Sequence, residues 1–472
     1  MVNSSTMTLI VIVMAIYFVG MIAISWMGRK YGKNFDDFIS AGRNCTTLMI
    51  IGSAVGSHIG NGYVVGGAAS GAAVGLNGAW YGIGCALSYL VVAFVLNHRV
   101  YKCGYISLPE ILNARYGEKM TSVIFSVTTA LSYIANIAAQ LMAGKALFEA
   151  LGFNGTLGVW VIAIVVMAYS CISGLWGACA TSVVQVAIII VSLLATFFIV
   201  LGRGAFDLVT EAVANGLAPA NYFSMNTEGV ASILITIVPI SLAALCEQCT
   251  VQRIASAKSE KTSFRAMILS VIIMIPCALM PTFIGMYGYV LFGDTTNSVF
   301  FKVALDVLPG FFAALLIAAV VAAIMSTIDT MFVAFSTIIM HNIYRGMINP
   351  NASESVLKKG DFACHLFLTI GAAVIALQFS SILDLLGAMY RFCAACCFAP
   401  FIGGLFWKKG TAKGAIASTI VGFIYIALNM AGIVPSTTLL SIFSFLPAAV
   451  AYVIISLLDK GDTKGNPEIA SA

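Results

Sequence analysis

The sequence predicts an all-α polytopic membrane protein, and three observations carry that prediction. Of its 472 residues 60% are hydrophobic and only 9% are charged, too few charges to clothe a soluble surface. Apolar segments of some twenty residues recur along the whole chain, each long enough to cross a hydrocarbon layer about 30 Å thick. Lys and Arg gather in alternate connections, as they do in cytoplasmic loops. The ~10-residue alternating segments that a β-barrel needs are absent. A net charge of +5 gives no reason to expect nucleic acid as a partner.

Thirteen spans can be drawn, near 7–27, 45–73, 75–98, 121–150, 156–173, 179–202, 228–252, 266–293, 309–339, 363–380, 382–406, 411–432 and 437–458. The first ends in Arg29 and Lys30 and reads as a retained span rather than a cleaved signal. Connections are short except near 203–227, 294–308 and 340–362. Most of the twelve cysteines lie inside apolar segments, where a small polarizable side chain packs. Cys393, Cys396 and Cys397 have metal-like spacing, but no nearby His or acid completes a transition-metal set.

The basic residues fix an orientation. One side collects Arg29, Lys30, Lys33 and Arg43, then the groups around Arg99–Lys119, Arg253–Arg265, Arg345–Lys359, Lys408–Lys413 and Lys460–Lys464, which is 20 of the 24. That side is expected to be cytoplasmic, with the N-terminus outside and the C-terminus inside. Only Lys145, Arg203, Lys302 and Arg391 fall elsewhere.

Two spans are interrupted. The second contains "GSAVGSHIGNGYVVGG" (52–67) and the seventh "SLAALCEQCTVQR" (241–253). Glycine loosens helix, and unwound backbone survives in a membrane only when buried in protein or lining a cavity. Close helix packing accounts for Gly66, Gly67 and Gly71, but poorly for His58 and Asn61. The two spans are five apart, an odd offset that inverts topology. Broken helices at matching places of two inverted halves point to a transporter's midplane site.

Four further stretches, in order, resemble the sodium:solute symporter family. They are "ISAGRN" (39–44), "SLPEILNARYG" (107–117), "VQRIASAKSEK" (251–261) and "PFIGGLFWKKGTAKGA" (400–415). The resemblance covers nearly the whole chain. It implies a LeuT-type core of five-plus-five inverted helices in which core helices 1 and 6 are broken. The parts are then an extra N-terminal helix and loop (1–44), the first repeat (45–202), the second (203–406) and two C-terminal helices with a tail (407–472). The second span becomes core helix 1, and 309–339 becomes core helix 8.

The family's sodium site joins two carbonyls of core helix 1 to an Ala-x-x-Ser-Ser/Thr motif on core helix 8. The resemblance places it at Ser57, Gly60, Ala323, Ser326 and Thr327. Neutral oxygens suit a hard cation that has to be released in every cycle. The alternative is that these hydroxyls merely bond back to carbonyls one turn earlier. Some members bind a second sodium through two hydroxyls further along core helix 8 and an Asp in a "Thr-Asp-x-x-Gln" pattern. Here those positions are Asp329, Thr330 and, in "TSVVQ", Ser182, so one carboxylate is missing and another gained. Asp329 then ligates a second cation with Ser182 and Thr330, titrates as a proton site, or is a structural acid bonded to Ser182. A buried carboxylate is costly, about 2.5–3.5 kcal/mol on insertion scales.

For the solute, the proline-type members point to Tyr63, Gly67, Asn136 and Ala244, with Gln140, Glu247 and Gln248 as nearby polar candidates. Their aromatic gate positions are Ile240 and Ala244 here, which argues against proline itself. Arg391 could receive a carboxylate, pair with Asp384 or snorkel. The function implied is Na⁺-coupled import of a small organic solute, anionic or zwitterionic, such as an organic acid or amino acid. The expected partners are that solute, Na⁺ and the bilayer of the cell membrane, around a single chain. No cofactor, catalytic residue or nucleic acid is implied. A proton-coupled symporter using Asp329 and a transport-dead solute sensor are the rivals.

Overall fold

A computed structural model describes residues 4–32, 34–170, 174–227, 229–435, 437–459, 465–466 and 469. Each of the thirteen expected segments holds helix. Among the described residues nine helices are long and apolar enough to cross a membrane, or ten with one bent pair counted as a span.

α1 (Ser4–Gly28) is followed by the short α2 (Phe35–Ser40). The first broken span is α3 (Thr47–His58) with α4 (Asn61–Val74). α5 (Trp80–Val91) runs through a π-turn into α6 (Asn97–Cys103), and α7 (Leu108–Tyr116) lies in the next connection. α8 (Lys119–Ala150), α9 (Gly155–Ser170) and α10 (Gly174–Gly202) complete the first half. α11 (Ala205–Ala214) precedes the second broken span, α12 (Val230–Leu245) with α13 (Gln248–Ser256), bent by 51°. Then come α14 (Glu260–Phe292), the short α15 (Val299–Lys302), α16 (Gly310–Ser336), α17 (Glu354–Ala376), α18 (Ile382–Phe406), α19 (Ala412–Met430), α20 (Thr438–Ile442) and α21 (Leu446–Leu458).

Local chemistry starts and stops these helices. Thr46, Ser259, Ser381 and Thr411 each accept the orphan amide three residues on, and Ser107 with Glu110 forms a reciprocal capping box. Gly117 and Gly293 end α7 and α14 in the left-handed conformation. Gly71 and Gly285 let α4 and α14 touch backbone to backbone: a Cβ at either would collide with the Thr282 or Ala68 carbonyl.

One expected loop is largely helix. Residues 340–362 read as a polar connection, yet α16 continues in π-helical form to Ile348 and α17 starts at Glu354. Met340 and Asn342 are buried, while His341 and Arg345 meet carboxylates of other elements. Those contacts sustain a helix that its polar composition disfavours.

α16 is the axis of the core, buried almost without interruption from Ala313 to Ser336. It touches α3, α8, α10, α17 and α1. The start of α3 is tied to the end of α13 by a two-bond bridge: Cys45 donates to the Ser256 carbonyl and Lys258 to the Cys45 carbonyl.

Candidate ion and solute sites

Ser326 and Thr327 are fully buried where α16 crosses the last turn of α3. The Ser326 hydroxyl donates to the Gly56 carbonyl at 2.7 Å and lies 3.2 Å from that of Ala323. The Thr327 hydroxyl is 2.9 Å from the Ala323 carbonyl, 3.3 Å from that of Ser57 and 3.4 Å from that of Gly56. Five neutral oxygens thus converge. Glycine at 56 permits the crossing, because a Cβ there would stand 3.2 Å from both Ser326 Cβ and Val186 and 3.5 Å from Ser182 Cβ. Sequence matching placed the α3 carbonyls at Ser57 and Gly60, whereas the acceptors are Gly56 and Ser57. The Gly60 carbonyl is spent on the first turn of α4, accepting from Tyr63 and Val64.

α8 closes both helix breaks. At the first, Gln140 Oε1 accepts from the Asn61 amide at 2.9 Å, and Gln140 Nε2 donates to Asn136 at 3.2 Å. A Cβ on Gly60 would meet Gln140 Oε1 and Thr327 Oγ1, both at 2.8 Å, so the α3/α16 crossing and the cap share one point. At the second, the Tyr133 hydroxyl accepts from the Cys249 amide at 3.2 Å. Tyr133 and Gln140 are two turns apart on one face of α8. Gln140 is therefore a cap, where the sequence suggested a solute ligand.

Two hollows lie along the axis between the broken helices. A small central cavity of about 30 Å³ is lined by Thr129, Ser132, Tyr133 and Asn136 of α8, His58, Ala243, Ala244, Cys246, Glu247, and Met389, Tyr390 and Cys393 of α18. Beyond it a vestibule of about 560 Å³ opens on the face away from the basic loops, lined by Ser70, Trp80, Tyr81, Ile240, Asp384 and Arg391 among others. Tyr390 lines both, and its hydroxyl is 3.5 Å from that of Tyr81. These tyrosines form the partition.

Of the solute candidates, Asn136, Ala244 and Glu247 line the cavity. Tyr63 turns away and donates to the Met274 carbonyl in α14. Gly67 faces Pro281 of α14. Gln248 accepts from the Leu108 amide at 2.7 Å and so holds α7. Arg391 stands in the vestibule, without an ion pair to Asp384.

The second-ion candidates lie on two helices, Ser182 on α10 and Asp329 and Thr330 on α16. The Ser182 hydroxyl bonds the Ala178 carbonyl of its own helix at 2.7 Å, and Thr330 bonds that of Thr327 at 3.0 Å. Asp329, 2% exposed, takes a hydrogen bond from the Ser170 hydroxyl of α9. Ser170 follows an unremarkable apolar run in the sequence, and nothing there marks it.

The basic face is closed. Arg253, assigned to a cytoplasmic loop by sequence, is 2% exposed. Its guanidinium donates to Ser53 at 2.9 Å, Ser57 at 2.6 Å and Tyr89 at 3.2 Å, fastening α13 to α3. The Tyr89 hydroxyl is also 2.9 Å from His58 Nδ1. Arg115 is likewise buried, donating to the carbonyls of Gly404, Trp407 and Lys408. Nearer the surface, His341 meets Glu110 at 2.6 Å, and Arg345 bridges His341 and Asp36. This latch ties α2 and α7 to the end of α16. Burial pushes the Glu110 carboxyl up, but His341 and the Ile106 and Ser107 amides outweigh that and hold it below the usual carboxylate range.

Comparison with known proteins bears on these sites. The description "Sodium:solute symporter family" matches residues 38–422. The chain belongs to the sodium:solute symporter family. The sodium/proline symporter of Salmonella typhimurium is 24% identical over 98% of this chain and 95% of its own length. Sodium/glucose cotransporter 1 of Oryctolagus cuniculus is 24% identical over 87% and 70%. Among solved structures, an outward-open Na⁺-coupled sialic acid symporter superposes with a TM-score of 0.83 over 97% of this chain and 99% of that one, at 17% identity. Mhp1, a nucleobase-cation-symport-1 family transporter, gives 0.56 over 92% and 97%, at 13% identity. The fold is therefore the inverted-repeat one with broken core helices, α3/α4 and α12/α13 being core helices 1 and 6. As a family member, the protein is a multi-pass membrane symporter that imports a small organic solute with Na⁺ as the coupling ion. It is a transporter rather than an enzyme.

Proposed function

We propose that Na⁺ binds at the crossing of α3 and α16, held by the carbonyls of Gly56, Ser57 and Ala323 and the hydroxyls of Ser326 and Thr327. One observation carries this reading: five neutral oxygens from two helices meet within hydrogen-bonding range at a buried point beside the helix break. The hydroxyl protons now point at the carbonyls. Turned aside, the same hydroxyls offer lone pairs to a hard cation, which then links α3 to α16.

The basic face is cytoplasmic by the positive-inside rule, so the N-terminus is outside, the C-terminus is inside and the vestibule faces outward. Solute enters through the vestibule, passes Tyr81 and Tyr390, and binds in the central cavity against Asn136 and Glu247. Ion and solute favour the same arrangement, which is what coupling requires. Opening to the cytoplasm breaks the Glu110–His341–Arg345–Asp36 latch and the Arg253 fastening. The working unit is a single chain.

Asp329 supports a second coupling position. Its carboxylate is buried and bonded across two helices to Ser170, and a carboxylate at that depth is costly unless it serves a cation or a proton. Asp329→Asn is expected to change the number of cations moved per solute; unchanged stoichiometry refutes this role.

The test of the main reading is a melting curve of the purified protein against a metabolite panel in Na⁺ and in K⁺, since a ligand that binds only the folded state raises apparent stability. A stabilising solute that acts in Na⁺ but not in K⁺, and loses that dependence in Thr327→Ala, is expected. A solute equally effective in both salts rejects the sodium site.

A further inference from the structure

We infer that the solute carries a protonated amine, and that Glu247 is the group that selects it. This rests on the central cavity being the solute site, and it narrows the chemistry of what enters.

The argument begins with charge. Among the described residues lining the central cavity, Glu247 is the one carboxylate, and neither Lys nor Arg lines it. Glu247 forms no ion pair within 4.0 Å among the described residues. One of its oxygens, Oε2, accepts from Thr250 at 3.0 Å, which fixes the carboxylate at the start of α13 and leaves the other oxygen for the cavity. Arg253, on the same short helix, attracts Glu247 only at a distance beyond an ion pair; its guanidinium nitrogens are given to Ser53, Ser57 and Tyr89.

The groups that would receive an anion are meanwhile partly engaged or distant. A half-helix N-terminus at a break is the natural receptor for a solute carboxylate, but the Asn61 amide is taken by Gln140 and the Cys249 amide by Tyr133. Arg391 stands in the vestibule beyond Tyr390. The rest of the lining is divided between polar groups (Thr129, Ser132, Tyr133, Asn136, Tyr390 and the His58 ring) and apolar or thiol side chains (Ala243, Ala244, Cys246, Met389 and Cys393). This suits a small body, part polar and part apolar, attached to an ammonium, which offers up to three donors to a carboxylate.

The size of the cavity limits that body. A volume of about 30 Å³ holds roughly two water molecules, so the cavity has to widen for any solute and the probes are kept small.

The experiment uses two matched pairs that differ in amine against hydroxyl: alanine with lactate, and isopropanolamine with propylene glycol. Melting curves are recorded in Na⁺ and K⁺ for the full-length protein, for Glu247→Gln and for Glu247→Asp. The expected result is stabilisation in Na⁺ by at least one amine and not by its hydroxyl partner. Its half-saturating concentration should rise at least tenfold in Glu247→Gln and recover partly in Glu247→Asp. Which amine acts separates the two sources of an ammonium, an amino acid or a simple amine. Sodium alone should still stabilise Glu247→Gln, which shows that the variant is folded.

Stabilisation by lactate or propylene glycol in place of their amine partners overturns the inference and leaves sodium symport standing. So does the lack of response to either amine, or an amine response that Glu247→Gln leaves unchanged. An amine that acts equally in Na⁺ and K⁺ keeps Glu247 as its receptor but rejects the coupling reading.

Discussion

The two broken helices use one backbone device for opposite chemistries. At the α3/α4 break the exposed carbonyls meet neutral hydroxyls of α16, and Gln140 plugs the amide end. At the α12/α13 break Glu247 sits at the gap, Tyr133 takes the Cys249 amide, and α16 reaches the Cys249 thiol at Thr330. The first break is therefore an uncharged cage of oxygens, and the second is a lone carboxylate facing a cavity. The fold supplies the gap, and side chains from neighbouring helices decide what the gap binds. α8 touches both and sets them two turns apart.

The comparison is broken most severely by removing the hydroxyls from one side. The double variant Ser326→Ala, Thr327→Ala is expected to raise the half-saturating Na⁺ concentration about a hundredfold or more, roughly 3 kcal/mol. Its solute cavity should stay intact. Sodium titration of the melting temperature checks it.

Next come the two caps. Gln140→Ala leaves the Asn61 amide without its acceptor beside the sodium crossing, a loss of about 1–2 kcal/mol, and is expected to weaken Na⁺ about tenfold. Tyr133→Phe loosens the other break and should weaken solute more than Na⁺. Equal effects of both variants on Na⁺ would erase the distinction between the breaks.

The latch gives a smaller effect with a definite pH sign. Glu110 is held below its ordinary value in the folded protein. Its contribution is therefore complete above the unfolded carboxylate value of about 4.3 and is lost as pH falls through the lower folded value. Glu110→Gln should cost about 1 kcal/mol near pH 5, where the carboxylate is ionised, with the gap to the parent closing below about pH 4. A gap that keeps widening below about pH 4 contradicts the assignment. Smallest of all, Arg391→Gln in the vestibule should change Na⁺ affinity less than about threefold, under 1 kcal/mol. Titrating the variant with Na⁺ tests it.

The sequence made much of this legible, for physical reasons. Apolar runs of span length and interruptions by glycine, His58 and Glu247 are local properties, so the helices and both breaks could be read directly. The Ser326–Thr327 pair was legible because its motif is contiguous on one helix. Of the α3 carbonyls that meet α16, Ser57 was among those expected and Gly56 was not, because a backbone carbonyl has no sequence signature and Gly60 lies one helical turn beyond Gly56. Gln140 was recognised as polar and buried, but whether a buried amide caps a helix or touches solute depends on a neighbour 79 residues away. Arg253 looked like a loop charge because basic residues usually are; its burial rests on Ser53, Ser57 and Tyr89, scattered over two other helices. Ser170 gave no signal at all.

The central claim is that the α3/α16 crossing is the sodium site, and direct binding of radioactive sodium to the purified protein tests it most closely. The account predicts saturable binding in the parent that falls sharply in the Ser326→Ala, Thr327→Ala variant while Glu247→Gln retains it. Full sodium binding by the double variant, or its loss in Glu247→Gln instead, would place the ion at the other break and contradict the account.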